Sequence, residues 1–331
     1  MKETAAARSA TDSTSIFSLR GTAQFLLIYG GYLMLLGLCI IFALLSPTFL
    51  TKENIINIFL QTAAIGLVAI GVTFVIIARG IDVSVGAIVA LASVLGVGSM
   101  KTLNLPWFIS ILTILVVGVL CGFVNGFSSS KLRMTSFLVT LATLTVFRGL
   151  VLAISRGKGW YGLPDFYDLL GSGFVGPIPN SVAINLLGFV IGHVLLSKTV
   201  FGRQLYAVGG NPEAARIQGI NVDRIILLSF VICGLFSGAA SLILTARLNA
   251  FTPLMGTGFE FSAIAAAVIG GVSLYGGEGN MAGVLVGVLI IGVINNALNL
   301  LSVSPFYQDV ARGLIIYVAV LLNTLRQRWG R

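Results

Sequence analysis

The stretch "FGRQLYAVGGNPEAARIQGINVDRI", residues 201–225, is a polar and charged break in a chain built otherwise of long apolar runs. Its centre carries the signals of a short, deliberately bounded helix. Asn211 is a favoured N-cap residue. Pro212 follows at the first helical position, where its missing N–H costs nothing. Glu213 sits in the first turn, against the positive end of the helix dipole. Ala214, Ala215, Arg216, Ile217 and Gln218 propagate the helix, and Gly219 is placed to end it in a left-handed cap. A helix of about two turns is marginal in water by itself. Something must therefore pack against it, and its small alanine face suits a groove on another protein.

The rest of the chain says what this helix is attached to. Of 331 residues, 57% are hydrophobic and 9% are charged, where a soluble domain carries about 25% charged residues. The apolar runs are continuous rather than alternating. Lipid-exposed backbone must satisfy its own hydrogen bonds, so these runs read as membrane helices. The fold class expected is all-α and polytopic, with about ten transmembrane helices near 24–45, 55–78, 83–100, 106–127, 136–155, 180–197, 225–246, 259–275, 281–300 and 307–325. Residues 1–23 form a polar N-terminal tail, 24–325 the membrane domain, 198–224 a cytoplasmic loop within it, and 326–331 a C-terminal tail.

The net charge of +9 reads as topology rather than as an affinity for nucleic acid. With the N-terminus inside, 13 of the 20 Lys and Arg residues fall on the cytoplasmic side and 7 elsewhere. That bias puts both termini and the 198–224 loop in the cytoplasm. Cys39, Cys121 and Cys233 lie singly inside apolar runs and read as packing residues, not as a disulfide framework or a zinc site.

A faint repeat is present. "GFVNG" at 122–126 with "RGL" at 148–150 is echoed by "GVINN" at 292–296 with "RGL" at 312–314. Five segments separate the copies, so they would lie in opposite orientations, an inverted repeat of the kind transporters use. Two polar interruptions stand in apolar surroundings: "ARGIDVSVGA" at 78–87 and "GGVSLYGGEGN" at 270–280. Irregular backbone at membrane depth is tolerated only inside protein or beside a wet cavity, and ionisable groups there are functional candidates. The competing reading of both is an ordinary turn.

The run at 201–225 closely resembles the permease subunits of ATP-binding-cassette importers of the ribose, xylose and galactose class. So do "GIDVSVGAIVALAS" and "GGVSLYGGEGNMAGVLVGVLIIGVINNALNLL", and the likeness covers about residues 45–325. The resemblance implies a ten-helix permease with the plan of the vitamin B12 importer permease. It implies a dimer with a second permease copy or homologue, a cytoplasmic ATPase as motor, and a periplasmic sugar-binding protein. This chain would bind no cofactor, ATP and Mg belonging to the ATPase, and it would lie in the bacterial inner membrane. The segment Asn211 to Gly219 would be the coupling helix that the motor moves. Glu278 departs from the pattern, which has a basic or neutral residue in that loop.

The chain has no Gly-x-x-x-x-Gly-Lys-Ser/Thr phosphate loop, so energy must come from a partner or an ion gradient. An ion-coupled transporter or facilitator of a small polar solute is the alternative. It usually needs membrane carboxylates or histidines. The one histidine, His193, has no acid at helical spacing, and Asp309 and Arg312 are spaced to pair with each other on a helix. Neither His-Glu-x-x-His nor Gly-x-Ser-x-Gly occurs, and the serines at 128–130 read as a loop, so an enzyme is not expected. A sugar path calls for amides, hydroxyls and aromatic faces. Asp82, Ser84, Asn125, Asn295, Asn296 and Asn299 are the polar candidates, with Phe127 and Phe147 as constrictions. The amides serve equally well as interhelical hydrogen-bond partners.

Overall fold

The computed structural model describes residues 30–321 other than 305, 309, 312, 316 and 319. The expected pair Asp309–Arg312 and both terminal tails lie outside the described residues. Among those described, six helices are long and apolar enough to cross a bilayer: Lys52–Ile77 (α2), Trp107–Ser130 (α4), Ser136–Ser155 (α5), Asn180–Lys198 (α7), Val222–Leu248 (α10) and Met281–Leu300 (α12). Three shorter apolar helices, Gly30–Leu45 (α1), Val85–Lys101 (α3) and Phe259–Ile269 (α11), fall on three more of the expected segments. The described residues between 306 and 321 are helical. The polar break holds Val200–Gly210 (α8) and Pro212–Ile217 (α9).

Helix starts follow local chemistry. The side chains of Thr51, Thr199, Asn221 and Asn280 each accept a hydrogen bond from a free N–H in the first turn of α2, α8, α10 and α12.

The core is built around α2 and α10, which run antiparallel. Gly71 of α2 lies against the Cys233 backbone of α10, while Arg247 near the far end of α10 donates to the Leu60 carbonyl at 3.2 Å. The seam between α4 and α10 is closer still. Gly118, Gly122 and Gly126, one turn apart on α4, face Gly234, Phe230 and Leu227 of α10. A Cβ on Gly118 or Gly122 would strike a carbonyl of α10, and one on Gly234 would strike the Gly118 carbonyl. Small residues at turn spacing let two backbones meet where no hydrophobic effect drives helices together.

The packing is unchanged in plan when α2, α3 and α4 are exchanged for α10, α11 and α12. The α4–α10 contact becomes α12–α2, α3–α4 becomes α11–α12, and α3–α10 becomes α11–α2.

Two expectations are corrected. The serines at 128–130 are the last turn of α4 rather than a loop. Ser128 turns its hydroxyl back onto the Val124 carbonyl at 2.8 Å, so its polar group is satisfied within the helix. The segment at 259–275 is helical only to Ile269, because Gly270 caps it and Gly271 takes a left-handed φ of 89°. The long loop between α5 and α7 is partly folded. It carries Asp165–Ser172 (α6), a two-residue strand Trp160–Tyr161 (β1) paired with Ala250–Phe251 (β4), and the small ladder of Phe174–Val175 (β2) and Ile178–Pro179 (β3). Tyr167 of α6 is fully buried and shares a 2.8 Å hydrogen bond with Ser110 of α4, which anchors this cover to the bundle.

Candidate functional site

The α8–α9 element is held as its sequence suggests. The Asn211 side-chain oxygen accepts from the Glu213 and Ala214 N–H groups, both at 3.0 Å. Pro212 occupies the first turn. At the other end Gly219 has φ 82°, its N–H reaches the Arg216 carbonyl at 3.0 Å, and the Ile220 N–H reaches the Ala215 carbonyl at 3.0 Å. Both ends of this six-residue helix are thus satisfied by its own neighbours. Arg216 pairs with Asp223 at the start of α10 (3.6 Å), and Lys131 after α4 pairs with the same carboxylate (3.4 Å). Tyr206 of α8 donates to the Gly279 carbonyl at 2.6 Å, and burial pushes its phenol pKa up, so it stays a donor.

Which face of α9 is free differs from expectation. Ala215 is buried in the main core, so the alanine face looks partly inward. The bare apolar group is Ile217, 87% exposed on an element rich in charge. Sequence reasoning passed over it because its direction depends on how α9 lies against α10.

A second arrangement surrounds Asp82. After α2 ends, residues 78–84 turn back into the bundle. The Cys233 thiol lies against the Asp82 carboxylate and the Cys233 backbone against Gly71, six residues before the end of α2. At 1.5 Å per residue, Asp82 therefore sits about 9 Å in from that end. It is fully buried and accepts from the Ser84 N–H at 2.9 Å and the Ser84 hydroxyl at 2.7 Å. The Asn125 amide donates to Ser84 Oγ at 2.8 Å and reaches Asp82 at 3.5 Å, and Thr143 of α5 donates to the Asn125 carbonyl at 2.8 Å. Asp82, Ser84 and Asn125 are thus one network joining α3, α4 and α5, and α3 begins within the bundle from this knot.

The second half of the chain does the same with other residues. From β4 the chain descends until Gly256 and Glu260 stand against Gly86, in the first turn of α3. The first turns of α3 and α11 therefore meet. Arg148 of α5 holds this descending segment, donating to the Met255 carbonyl at 2.8 Å and the Pro253 carbonyl at 3.3 Å. Neither Arg148 nor Glu260 was singled out as a site residue from sequence. The only signal is a charge in an apolar run.

The remaining candidates are dispersed. Asn296 is buried and exchanges two hydrogen bonds with Asn54 of α2, at 3.0 and 2.9 Å. Asn295 is partly exposed, and Asn299 is exposed and accepts from Gln308 at 2.9 Å. Phe147 is buried among α3, α4 and α6 side chains. Phe127 is 41% exposed and stacks on Phe123 with centroids 5.9 Å apart. Among the described residues no three His, Cys, Asp or Glu side chains come together as a metal site.

The chain was compared with known proteins. A family model described as the branched-chain amino acid transport system / permease component matches residues 54–320. The ribose import permease protein RbsC of Bacillus subtilis is 47% identical over 296 residues, covering 89% of this chain and 92% of that protein. The D-allose transport system permease protein AlsC of Escherichia coli is 40% identical over 299 residues, covering 90% and 91%. The L-arabinose ABC transporter permease protein AraH of Azospirillum brasilense is 40% identical over 296 residues, covering 88% and 87%. No solved structure gives a significant match. A bundle with six helices long and apolar enough to cross a bilayer, and relatives named as permeases, lead to one conclusion: the chain belongs to the family of transport-system permease components, and it is a membrane transport subunit, not an enzyme.

Proposed function

We propose that this chain is the permease subunit of an ATP-driven importer that carries a monosaccharide across the bacterial inner membrane. The observation that carries the reading is α9. A short helix whose ends are satisfied by its own neighbours, with Ile217 standing exposed, offers another protein a stiff element to hold. The names of the relatives agree: each is a permease, for ribose, allose or arabinose, and none is named as ion-coupled. This favours the importer over a proton- or sodium-coupled facilitator.

In this reading the membrane domain, residues 24–325, has ten helices arranged as in the vitamin B12 importer permease, with both termini in the cytoplasm. The exchange symmetry of α2–α4 with α10–α12 supports an inverted repeat. Two permease copies form the working unit. A cytoplasmic ATPase binds ATP and Mg, and a periplasmic binding protein delivers the sugar. This chain does no covalent chemistry and holds no cofactor. When the ATPase closes on ATP it displaces the loop 198–224 through Asn211, Pro212, Glu213, Ala214, Ala215, Arg216 and Gly219. The caps keep α9 stiff, so a push on it moves the helices behind it instead of bending the loop. Phe127, Asn295 and Asn299 present surface that a sugar hydroxyl or ring face can meet. Asp82, Ser84, Asn125, Asn296 and Phe147 are buried and hold the helices that line the path.

The experiment is ATP hydrolysis by the permease–ATPase complex in nanodiscs with the cognate binding protein. Ribose, allose and arabinose are offered in turn. Stimulation by at least one of the three is expected. A complex that no sugar-loaded binding protein stimulates would remove the sugar-importer reading.

A further inference from the structure

Three segments far apart in sequence meet at one side chain. Arg79 follows the end of α2 with φ 64°, a left-handed conformation that carries a steric cost for any residue with a Cβ. Its Nε donates to the Tyr275 carbonyl at 2.9 Å and its Nη2 to the Gly210 carbonyl at 2.8 Å. Charge-assisted bonds of this kind are the strong ones, and two of them from one rigid guanidinium fix direction as well as distance. Gly210 directly precedes Asn211, the N-cap of α9. Tyr275 stands in the loop between α11 and α12.

The backbones around this side chain are in contact too. The Gly277 N–H donates to the Ile77 carbonyl at 2.9 Å. A Cβ on Gly209 would strike the Ile77 carbonyl, and one on Gly276 would strike the Arg79 side chain itself. Gly276 and Gly277 of the 270–280 loop therefore serve close approach to α2 and α8. Its Glu278 is exposed and plays no part in the junction beyond its carbonyl, which accepts from the Ser273 N–H at 3.1 Å.

We propose that Arg79 is the positioning residue that carries motion of α9 to α3 and α11, the two helices that begin inside the bundle. Three residues on from Arg79 the chain forms the Asp82 knot from which α3 springs. Six residues before Tyr275 lies the end of α11. The first turns of those two helices are already in contact, through Gly86, Gly256 and Glu260. A displacement of Gly210 thus reaches one helix through its start and the other through its finish. The inference rests on the importer reading above.

The test uses the whole permease–ATPase complex in proteoliposomes, with whichever of tritiated ribose, allose or arabinose the unaltered complex imports. Arg79→Gly removes the guanidinium and accepts the left-handed backbone, so the fold is retained. Arg79→Lys keeps the charge but offers a point donor in place of the planar fork. The expected result is normal assembly with the ATPase and continued ATP hydrolysis. Sugar imported per ATP falls about tenfold in Arg79→Gly and by an intermediate factor in Arg79→Lys. A role in folding alone would lower yield and thermal stability and leave that ratio intact. Import per ATP equal to the unaltered protein in Arg79→Gly, or loss of the ATPase from the complex, overturns the proposal. Absence of ATP-dependent import in the unaltered complex would instead overturn the importer reading beneath it.

Discussion

Ile217→Ala separates docking from folding. Ile217 is 87% exposed, so its side chain contributes almost nothing to the core of the permease. Trimming it to alanine should change the stability of the isolated chain by less than about 0.5 kcal/mol, and alanine's better helix propensity pushes in the favourable direction. If α9 docks on the ATPase as proposed, the same side chain is buried there. Three carbon groups are lost on truncation, at about 0.8 kcal/mol each, or about 2.4 kcal/mol if all are fully covered. At about 1.4 kcal/mol per tenfold in affinity, the ATPase should bind about 50-fold more weakly. Partial burial scales this down in proportion. The assay is equilibrium binding of the purified ATPase to the permease in nanodiscs, run beside thermal unfolding of the permease alone. Unchanged affinity would show that α9 is not gripped at this face. A marked fall in the melting temperature of the permease alone would show that Ile217 is packed after all, and the reasoning from its exposure would fail.

Gly219→Val and Gly219→Asn should part company. Nothing lies within 4 Å of a Cβ at this position, so the only cost is the left-handed backbone. That cost is of order 1–3 kcal/mol for a branched side chain and far less for asparagine. Import is expected to fall in the valine variant and to persist in the asparagine variant, with both permeases still purifying intact; equal import in the two would remove the role of the cap. The Asn54–Asn296 pair should show coupling in a double-mutant cycle on thermal stability. Each single alanine leaves a buried amide short of a partner and costs about 1–3 kcal/mol, while the double variant costs less than the sum. Strict additivity would mean the two bonds carry no energy.

What could be read ahead of the structure was what is local. The caps of α9 are made by residues within five positions of each other, and Asn211, Pro212 and Gly219 act as their types dictate. Asp82 and Ser84 were visible because an acid in an apolar run needs partners nearby, and Ser84 is two residues away. The partners that complete the knot, Asn125 and Thr143, come from two other helices, and no spacing rule connects them to Asp82. The same limit hid the Asn54–Asn296 exchange, which spans 242 positions. Arg79 looked like one more basic residue at a helix end. Its meaning lies in the two carbonyls it reaches, and those are set by how α8 and the 270–280 loop pack. The early end of α11 was missed because Gly270 and Gly271 resemble the many packing glycines of the chain, 40 in all. Only backbone geometry distinguishes a glycine that ends a helix from one that lets two helices touch.

The central claim is that a separate ATPase, acting through the 198–224 loop, drives import. Its most direct test is uptake of tritiated sugar by proteoliposomes that contain this chain either alone or assembled with its ATPase and binding protein. The account predicts no accumulation by the chain alone under a proton or sodium gradient, and accumulation by the full assembly only when ATP is supplied on the α9 side. Gradient-driven accumulation by the chain alone, with ATP absent, would contradict it.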